Sequence, residues 1–152
     1  MSGQPERWPQ SDDPQVLMAW VQRHWQRTLM HPLGIRLLEL GPGRALGELP
    51  VHDGVRTPLG AVHAGAIVAL ADTMATSAAL TVVNVPGQPE RFPVAIDLAV
   101  QLVGNIQEGG LRAESQVVHQ GRTLVVVQTR VSSAETGRLV ALMSSTHLVP
   151  QQ

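Results

Sequence analysis

The sequence predicts an α+β fold in which an antiparallel β-sheet wraps around one long buried helix, with an additional helix near the N-terminus. Residues 64–82 are apolar or small on nearly every side of a helix, which is typical of a helix enclosed by protein. The last third of the chain consists of strand-like segments joined by short turns, which favours an antiparallel sheet. A chain of 152 residues, 43% of them hydrophobic, is long enough for one domain with a substantial core.

The N-terminal part is predicted to be a flexible polar leader followed by a helix. Residues 1–13 are mostly polar and lack the apolar core of a signal peptide. Pro14 suits the first turn of a helix, and the two preceding aspartates are candidate caps. Because apolar side chains recur along one stripe, we expect this helix to continue to about Met30.

Six strands are predicted around the buried helix. The first two are joined by a Gly-Pro-Gly turn, and alternation of apolar and polar residues in the third indicates a half-buried strand. One face of such a sheet is apolar, and the long helix supplies its cover. A single domain over residues 14–150 follows. The strands are expected at residues 35–40, 44–50, 94–102, 111–119, 123–131 and 139–149.

Composition excludes several classes of function. The net charge is −1 and lysine is absent, so there is no basic surface for nucleic acid. The chain has no cysteine, which rules out disulfides and thiolate catalysis, and its six histidines show no metal-ligand spacing. The long helix could cross a membrane by length, but a central carboxylate argues against this. We expect a cytoplasmic protein without a bound metal.

Asp72 is the most unusual residue, because it lies in the middle of the apolar helix. Burying an unpaired carboxylate costs several kcal/mol or forces its protonation. One interpretation is a purely structural pairing with a neighbouring hydroxyl. The other, which we favour, is a catalytic acid or base held in a dry site.

The segment leading into this helix resembles the signature of a known family. Gly60, His63 and Gly65 form Gly-x-x-His-x-Gly, and Asp72 follows the last glycine by seven residues. This pattern is similar to that of the acyl-CoA thioesterases of the phenylacetate-degradation (PaaI-like) branch, which have the hotdog fold. The resemblance implies an acyl-CoA substrate, no cofactor apart from the coenzyme A of the substrate, and a homodimer or a dimer of dimers. It covers roughly residues 31–149, including similar segments at 96–98, 118–123 and 136–141.

Three positions depart from the family pattern. Thr57 replaces an asparagine that helps position the substrate, and Ala64 replaces the first glycine after the histidine. Ala95 replaces a serine that holds the attacking water in some relatives. These changes motivate an alternative, a non-catalytic or weakly catalytic module of the same fold that binds acyl-CoA or an acyl carrier. A hotdog dehydratase fits less well, because its aspartate and histidine occur in another sequence setting.

Thioester hydrolysis needs a stabilised oxyanion and an activated oxygen nucleophile. The first N–H groups of a helix have no partner within it, so the Ala64 N–H is the predicted oxyanion donor. Asp72 is the predicted general base or direct nucleophile. Thr76, one turn further, either bonds this carboxylate or its water, or bonds its own backbone. His63 is expected to orient the loop or the thioester rather than act as a base, and Thr57 to replace part of the missing carboxamide.

Further residues are candidates for binding the substrate. Gly65 either contacts the substrate or permits close packing at the helix start. Arg122 with Thr123 after the predicted hairpin turn, and Arg138 near the last strand, are candidates for the coenzyme A phosphates, because guanidinium groups suit phosphate oxygens.

A shared active site follows from helix geometry. Ala64 and Asp72 are eight residues apart, which is roughly 12 Å along one helix. A reacting carbon must lie within about 3 Å, or one water, of both groups. Two antiparallel copies of the helix across a two-fold axis would satisfy this requirement, and the sequence therefore predicts a homodimer. Asp97 and His119 are assigned to sheet and dimer contacts.

Overall fold

The computed structural model describes residues 6–88 and 90–151, which form three α-helices, one short 3₁₀ turn and six strands. The helices are α1 (Pro14–Trp25), α2 (Met30–Leu33) and α3 (Ala64–Val83). The strands are β1 (Arg36–Gly41), β2 (Arg44–Pro50), β3 (Val94–Leu102), β4 (Gly110–Gln120), β5 (Leu124–Ser133) and β6 (Leu139–Leu148). All neighbouring strands are antiparallel, in the order β1-β2-β4-β5-β6-β3. This confirms the predicted hotdog-like fold.

Helix α3 lies across one face of the sheet and forms the centre of the core. Leu70, Met74 and Ala78 are fully buried between the helix and the strands. Gly47 on β2 permits this close approach, since a Cβ at that position would overlap the Met74 sulfur. Within the described residues α3 is the only helix long and apolar enough to span a bilayer, and most of it is buried inside the protein. It is therefore a core helix.

The first helix is shorter than predicted. It begins at Pro14 as expected, and the Asp13 carboxylate accepts a hydrogen bond from the Gln15 N–H at 2.9 Å. It ends at Trp25 rather than near Met30, because the N–H and the hydroxyl of Thr28 both donate to the Trp25 carbonyl and turn the chain. The separate short helix α2 then follows.

The predicted leader is partly packed onto the domain. Residues 1–5 lie outside the described part of the chain, and residues 6–13 form no helix or strand. Trp8 is nevertheless buried against Trp20, with ring centroids 5.0 Å apart. The backbone N–H of Trp8 donates to the Glu90 carboxylate at 2.9 Å. Trp8 thus packs on the domain, and the flexibility predicted for residues 1–13 stays a prediction.

Strand β3 differs most from its prediction. It pairs with β6 on one side only and lies at the opposite edge of the sheet from β1. The alternating pattern predicts a half-buried strand, but within one chain four of its five alternating apolar side chains are exposed, and only Val100 among them packs against the core. The exposed fractions are 49% for Val94, 56% for Ile96, 40% for Leu98 and 48% for Leu102. An apolar strand thus stands at a free sheet edge of the single chain.

Candidate active site

The entrance to α3 is a tightly hydrogen-bonded loop. The Thr57 N–H donates to the Ala61 carbonyl at 2.7 Å, and the Gly60 N–H donates to the Thr57 carbonyl at 2.9 Å. Gly60 has a φ of 91°, a left-handed conformation that favours glycine. The Thr57 side chain is half-buried, and its hydroxyl has no hydrogen-bond partner among the described residues. The predicted role of this hydroxyl toward substrate remains a prediction.

In the first turn of α3, one N–H group has no hydrogen-bond acceptor among the residues that the structure describes. The His63 Nδ1 accepts from the Gly65 N–H at 2.8 Å, and the His63 carbonyl accepts from Ala66 and Ile67 at 2.9 and 3.2 Å. The Ala64 N–H alone in this turn has no acceptor within the part of the chain that the structure describes, and Ala64 is exposed. It lies at the positive end of the helix dipole, which suits a donor to a developing oxyanion.

His63 acts as the cap of this helix. Because its Nδ1 accepts a hydrogen bond, that nitrogen is unprotonated and engaged, so it is not free to remove a proton from water. The contact favours the orienting role over the role as a base. A Cβ at Gly65 would lie 3.0 Å from the His63 Nδ1, so the glycine leaves room for the cap. This is a packing reason for Gly65, and its contact with substrate remains a prediction.

Asp72 is half-buried in the middle of α3. Its Oδ1 is buried and has no hydrogen-bond partner among residues 6–88 and 90–151. The alternative interpretation, a structural pairing of Asp72 with a neighbouring hydroxyl, is therefore not observed among the residues that the structure describes. Burial raises the pKa of the Asp72 carboxyl above its usual value, because desolvation disfavours the charged form. An acceptor of this kind is suited to removing a proton from water.

Thr76 differs from the other hydroxyl residues of α3. The hydroxyls of Thr73, Ser77 and Thr81 donate to backbone carbonyls of their own helix at 2.6, 2.7 and 2.6 Å. The Thr76 hydroxyl makes no hydrogen bond to any described residue, so the backbone-bonded alternative is not observed. Thr76 is half-buried one turn after Asp72 and is available to a water or to substrate.

Ala64 and Asp72 are not brought together within one chain. They lie on a single continuous helix, so their backbone positions are separated by roughly 12 Å along its axis. The Ala64 N–H, which is the predicted oxyanion donor, and the Asp72 carboxylate of one chain are therefore too far apart to contact the same carbon atom of a substrate.

The predicted phosphate ligands are also far apart. Arg122 and Thr123 form the turn before β5, and Arg138 follows the turn after β5. A strand of ten residues separates the two turns by roughly 30 Å. Arg138 is exposed, and its guanidinium donates to the Asn105 carbonyl, whereas no hydrogen bond from the Arg122 guanidinium to a described residue is formed. The two arginines of one chain therefore cannot bind the same phosphate.

Sequence reasoning missed Asn105 in the connection between β3 and β4. Its carboxamide donates to the Val62 carbonyl at 2.9 Å and accepts from the Val62 N–H at 3.1 Å. Val62 comes two residues before Ala64. The two partners are 43 residues apart in the chain, so no local pattern indicates the contact.

Comparison with known proteins finds relatives that are named as esterases or thioesterases. The model of the family described as "Thioesterase superfamily" matches residues 59–140. The putative esterase ComA2 of Bacillus subtilis is 30% identical over 121 residues, which are 80% of this chain and 93% of that protein. Human acyl-coenzyme A thioesterase 13 is 27% identical over 84% of this chain and 86% of its own length. The structure of the Escherichia coli PaaI protein, from the phenylacetic acid degradation operon, superposes with a TM-score of 0.75. It is 20% identical and covers 86% of this chain and 91% of the PaaI chain, which shows the shared fold.

The family match spans more than half of the chain and includes Ala64, Asp72 and strand β3. The fold agrees with it. This chain belongs to the thioesterase superfamily.

Proposed function

We propose that this protein hydrolyses an acyl-CoA thioester to a free acid and coenzyme A. The observation that carries the proposal is the Asp72 Oδ1, which is buried in the middle of an apolar helix without a hydrogen-bond partner in the described part of the chain. Such a group costs stability, so a role in chemistry accounts for it better than a structural role does. The similarity to human acyl-coenzyme A thioesterase 13 supports the substrate class.

The reaction uses the Ala64 N–H and the Asp72 carboxylate of α3. The thioester carbonyl oxygen accepts a hydrogen bond from the Ala64 N–H, while Asp72 removes a proton from water. The water oxygen bonds to the carbonyl carbon, the C–S bond breaks, and the proton passes from Asp72 to the departing sulfur. In the other version the Asp72 oxygen attacks the carbonyl carbon directly, the C–S bond breaks and coenzyme A leaves as a thiolate. Water then cleaves the resulting anhydride to the free acid and the Asp72 carboxyl, whose proton passes to the thiolate. Thr76 is placed to hold the carboxylate or the water in both versions.

The proposal includes a second copy of the chain. Ala64 and Asp72 of one chain are too far apart for one carbon, whereas antiparallel α3 helices bring the start of one near the middle of the other. Strand β3 supports this arrangement, because its free edge and exposed apolar side chains suit pairing with an identical strand. A two-fold homodimer then has two sites, each built from both chains. Further pairing into a dimer of dimers, and a cytoplasmic location, belong to the same proposal.

One observation favours the alternative of a binding module without efficient turnover. Ala95 lies on β3 opposite His147 of β6 and provides no hydroxyl to hold an attacking water. Such a protein would bind acyl-CoA through the same groups and release no thiol.

A thiol-release assay across aryl, short-chain and long-chain acyl-CoAs tests the proposal. Wild type should release coenzyme A from at least one class, and the Asp72→Asn variant should bind the same compound with little turnover. Binding by the wild type without any thiol release would instead establish the binding module.

A further inference from the structure

The loop that holds the start of α3 is itself held by one carboxamide. Asn105 lies after β3, and its Oδ1 accepts hydrogen bonds from the Val62 N–H at 3.1 Å and from the Ile106 N–H at 2.7 Å. Its Nδ2 donates to the Val62 carbonyl at 2.9 Å. The side chain thus pairs with both backbone polar groups of Val62, as a neighbouring strand would.

Val62 has little freedom to move under this arrangement. Its side chain is buried, and on its other side its backbone forms a bridge with Arg56. The next residue, His63, donates its N–H to the Val55 carbonyl at 2.8 Å and caps α3. The position of the Ala64 N–H therefore depends on where Val62 is held.

Two arginines fix the segment that carries Asn105. The Arg138 guanidinium donates to the Asn105 carbonyl, and the Arg56 guanidinium donates to the carbonyls of Gln107 and Gly60. Arg56 thus links the Asn105 segment to the entrance loop of α3. The hydrogen bond from Arg138 to the Asn105 carbonyl is a structural contact, which differs from the phosphate contact predicted for Arg138.

We propose that Asn105 is a positioning residue for thioester hydrolysis, because its carboxamide holds Val62 and thereby sets the direction of the Ala64 N–H. The inference rests on the proposed function. Asn105 does not touch the reacting atoms. It acts through the backbone of residues 62–64. The Arg138 guanidinium in turn holds the Asn105 backbone by donating to its carbonyl.

Asn84 provides a matched control at the other end of the same helix. Its Nδ2 donates to the Arg91 carbonyl at 2.6 Å, and its Oδ1 accepts from the Arg91 N–H at 2.8 Å. Both asparagines thus clamp one residue of a neighbouring segment through two hydrogen bonds. Replacing either by alanine removes the same kind of contact. Of the two, Asn105 is the one that bonds Val62, two residues before the proposed oxyanion donor.

The experiment measures kcat, KM and the melting temperature of wild type, Asn105→Ala, Asn105→Asp and Asn84→Ala. Asn105→Ala should lower kcat roughly 10- to 100-fold and change KM less than about threefold, because a misdirected oxyanion donor affects the transition state more than binding. Asn105→Asp preserves the size of the side chain but turns an acceptor toward the Val62 carbonyl, so it should lose at least as much kcat. Asn84→Ala should keep kcat within about threefold of wild type at a similar loss of melting temperature.

Two results would overturn the inference. One is a kcat of Asn105→Ala within threefold of wild type, and the other is an equal loss of kcat in Asn84→Ala. A wild type that releases no thiol refutes the proposed function itself. An active wild type, an inactive Asp72→Asn and a normal Asn105→Ala refute this inference alone.

Discussion

Mixing two inactive variants should restore activity if each site is built from both chains. The variants are Asp72→Asn, which removes the ionisable group, and Ala64→Pro, which removes the predicted oxyanion donor. The structure indicates that proline is tolerated at position 64. The Ala64 N–H has no partner among the described residues, and His63 has φ −62° and ψ 133°, the extended conformation preferred before proline.

The expected magnitude follows from the symmetry of the dimer. Alone, Asp72→Asn should retain about 10⁻² to 10⁻⁴ of wild-type turnover, and Ala64→Pro about 10⁻² to 10⁻³. In a hybrid dimer one site carries both substitutions and the other carries neither. An equal mixture with complete exchange contains half hybrids, so it should show about a quarter of wild-type activity per chain.

The assay combines thiol release with native mass spectrometry of differently tagged chains. The controls are each variant alone and a mixture measured before exchange. If hybrid dimers form in the expected proportion and turnover stays at the average of the two parents, the shared-site hypothesis is wrong.

Three other measurements test separate parts of the reasoning. Asp72→Asn should lose more turnover than Thr76→Ala, which removes only a supporting hydrogen bond. Equal losses in a thiol-release assay would show that Asp72 is not the more important of the two residues. The raised pKa of Asp72 means that the folded chain is destabilised by its charge above that pKa and not below the unfolded value of about 3.9. Asp72→Asn should therefore melt at a higher temperature than wild type at pH 8 by circular dichroism, with the difference vanishing near pH 3.5; a lower melting temperature at pH 8 would show that the carboxylate is stabilising. Arg122→Ala should raise KM for acyl-CoA but not for the corresponding acyl-pantetheine, which lacks the nucleotide phosphates. An equal rise in KM for both compounds would contradict the predicted contact between Arg122 and the phosphates.

The elements that sequence predicts best are those with strong local signals. The apolar run that contains Asp72 predicts α3 closely, because nothing in it breaks a helix or presents a polar face. The end of α1 was missed by about five residues, since Thr28 turns the chain with a backbone contact that the apolar stripe does not show. Local periodicity thus determines the element, and capping contacts determine its end.

Long-range features could not be predicted from the residues. The alternation in Val94–Leu102 indicates an amphipathic strand, but nothing local shows that this strand crosses to the β6 edge. The contact between Asn105 and Val62 joins segments that only the completed sheet brings together. Asp72 was found because a carboxylate in an apolar run is unusual in itself, whereas an asparagine in a loop is not.

The packing of Trp8 on Trp20 limits what intrinsic fluorescence can report. All three tryptophans, at positions 8, 20 and 25, lie within the first 25 residues, and the chain has no tyrosine. Emission above 300 nm therefore comes only from the N-terminal segment and α1. A fluorescence melting curve will follow the release of that segment. A truncation that removes these residues would leave a chain with almost no absorbance at 280 nm.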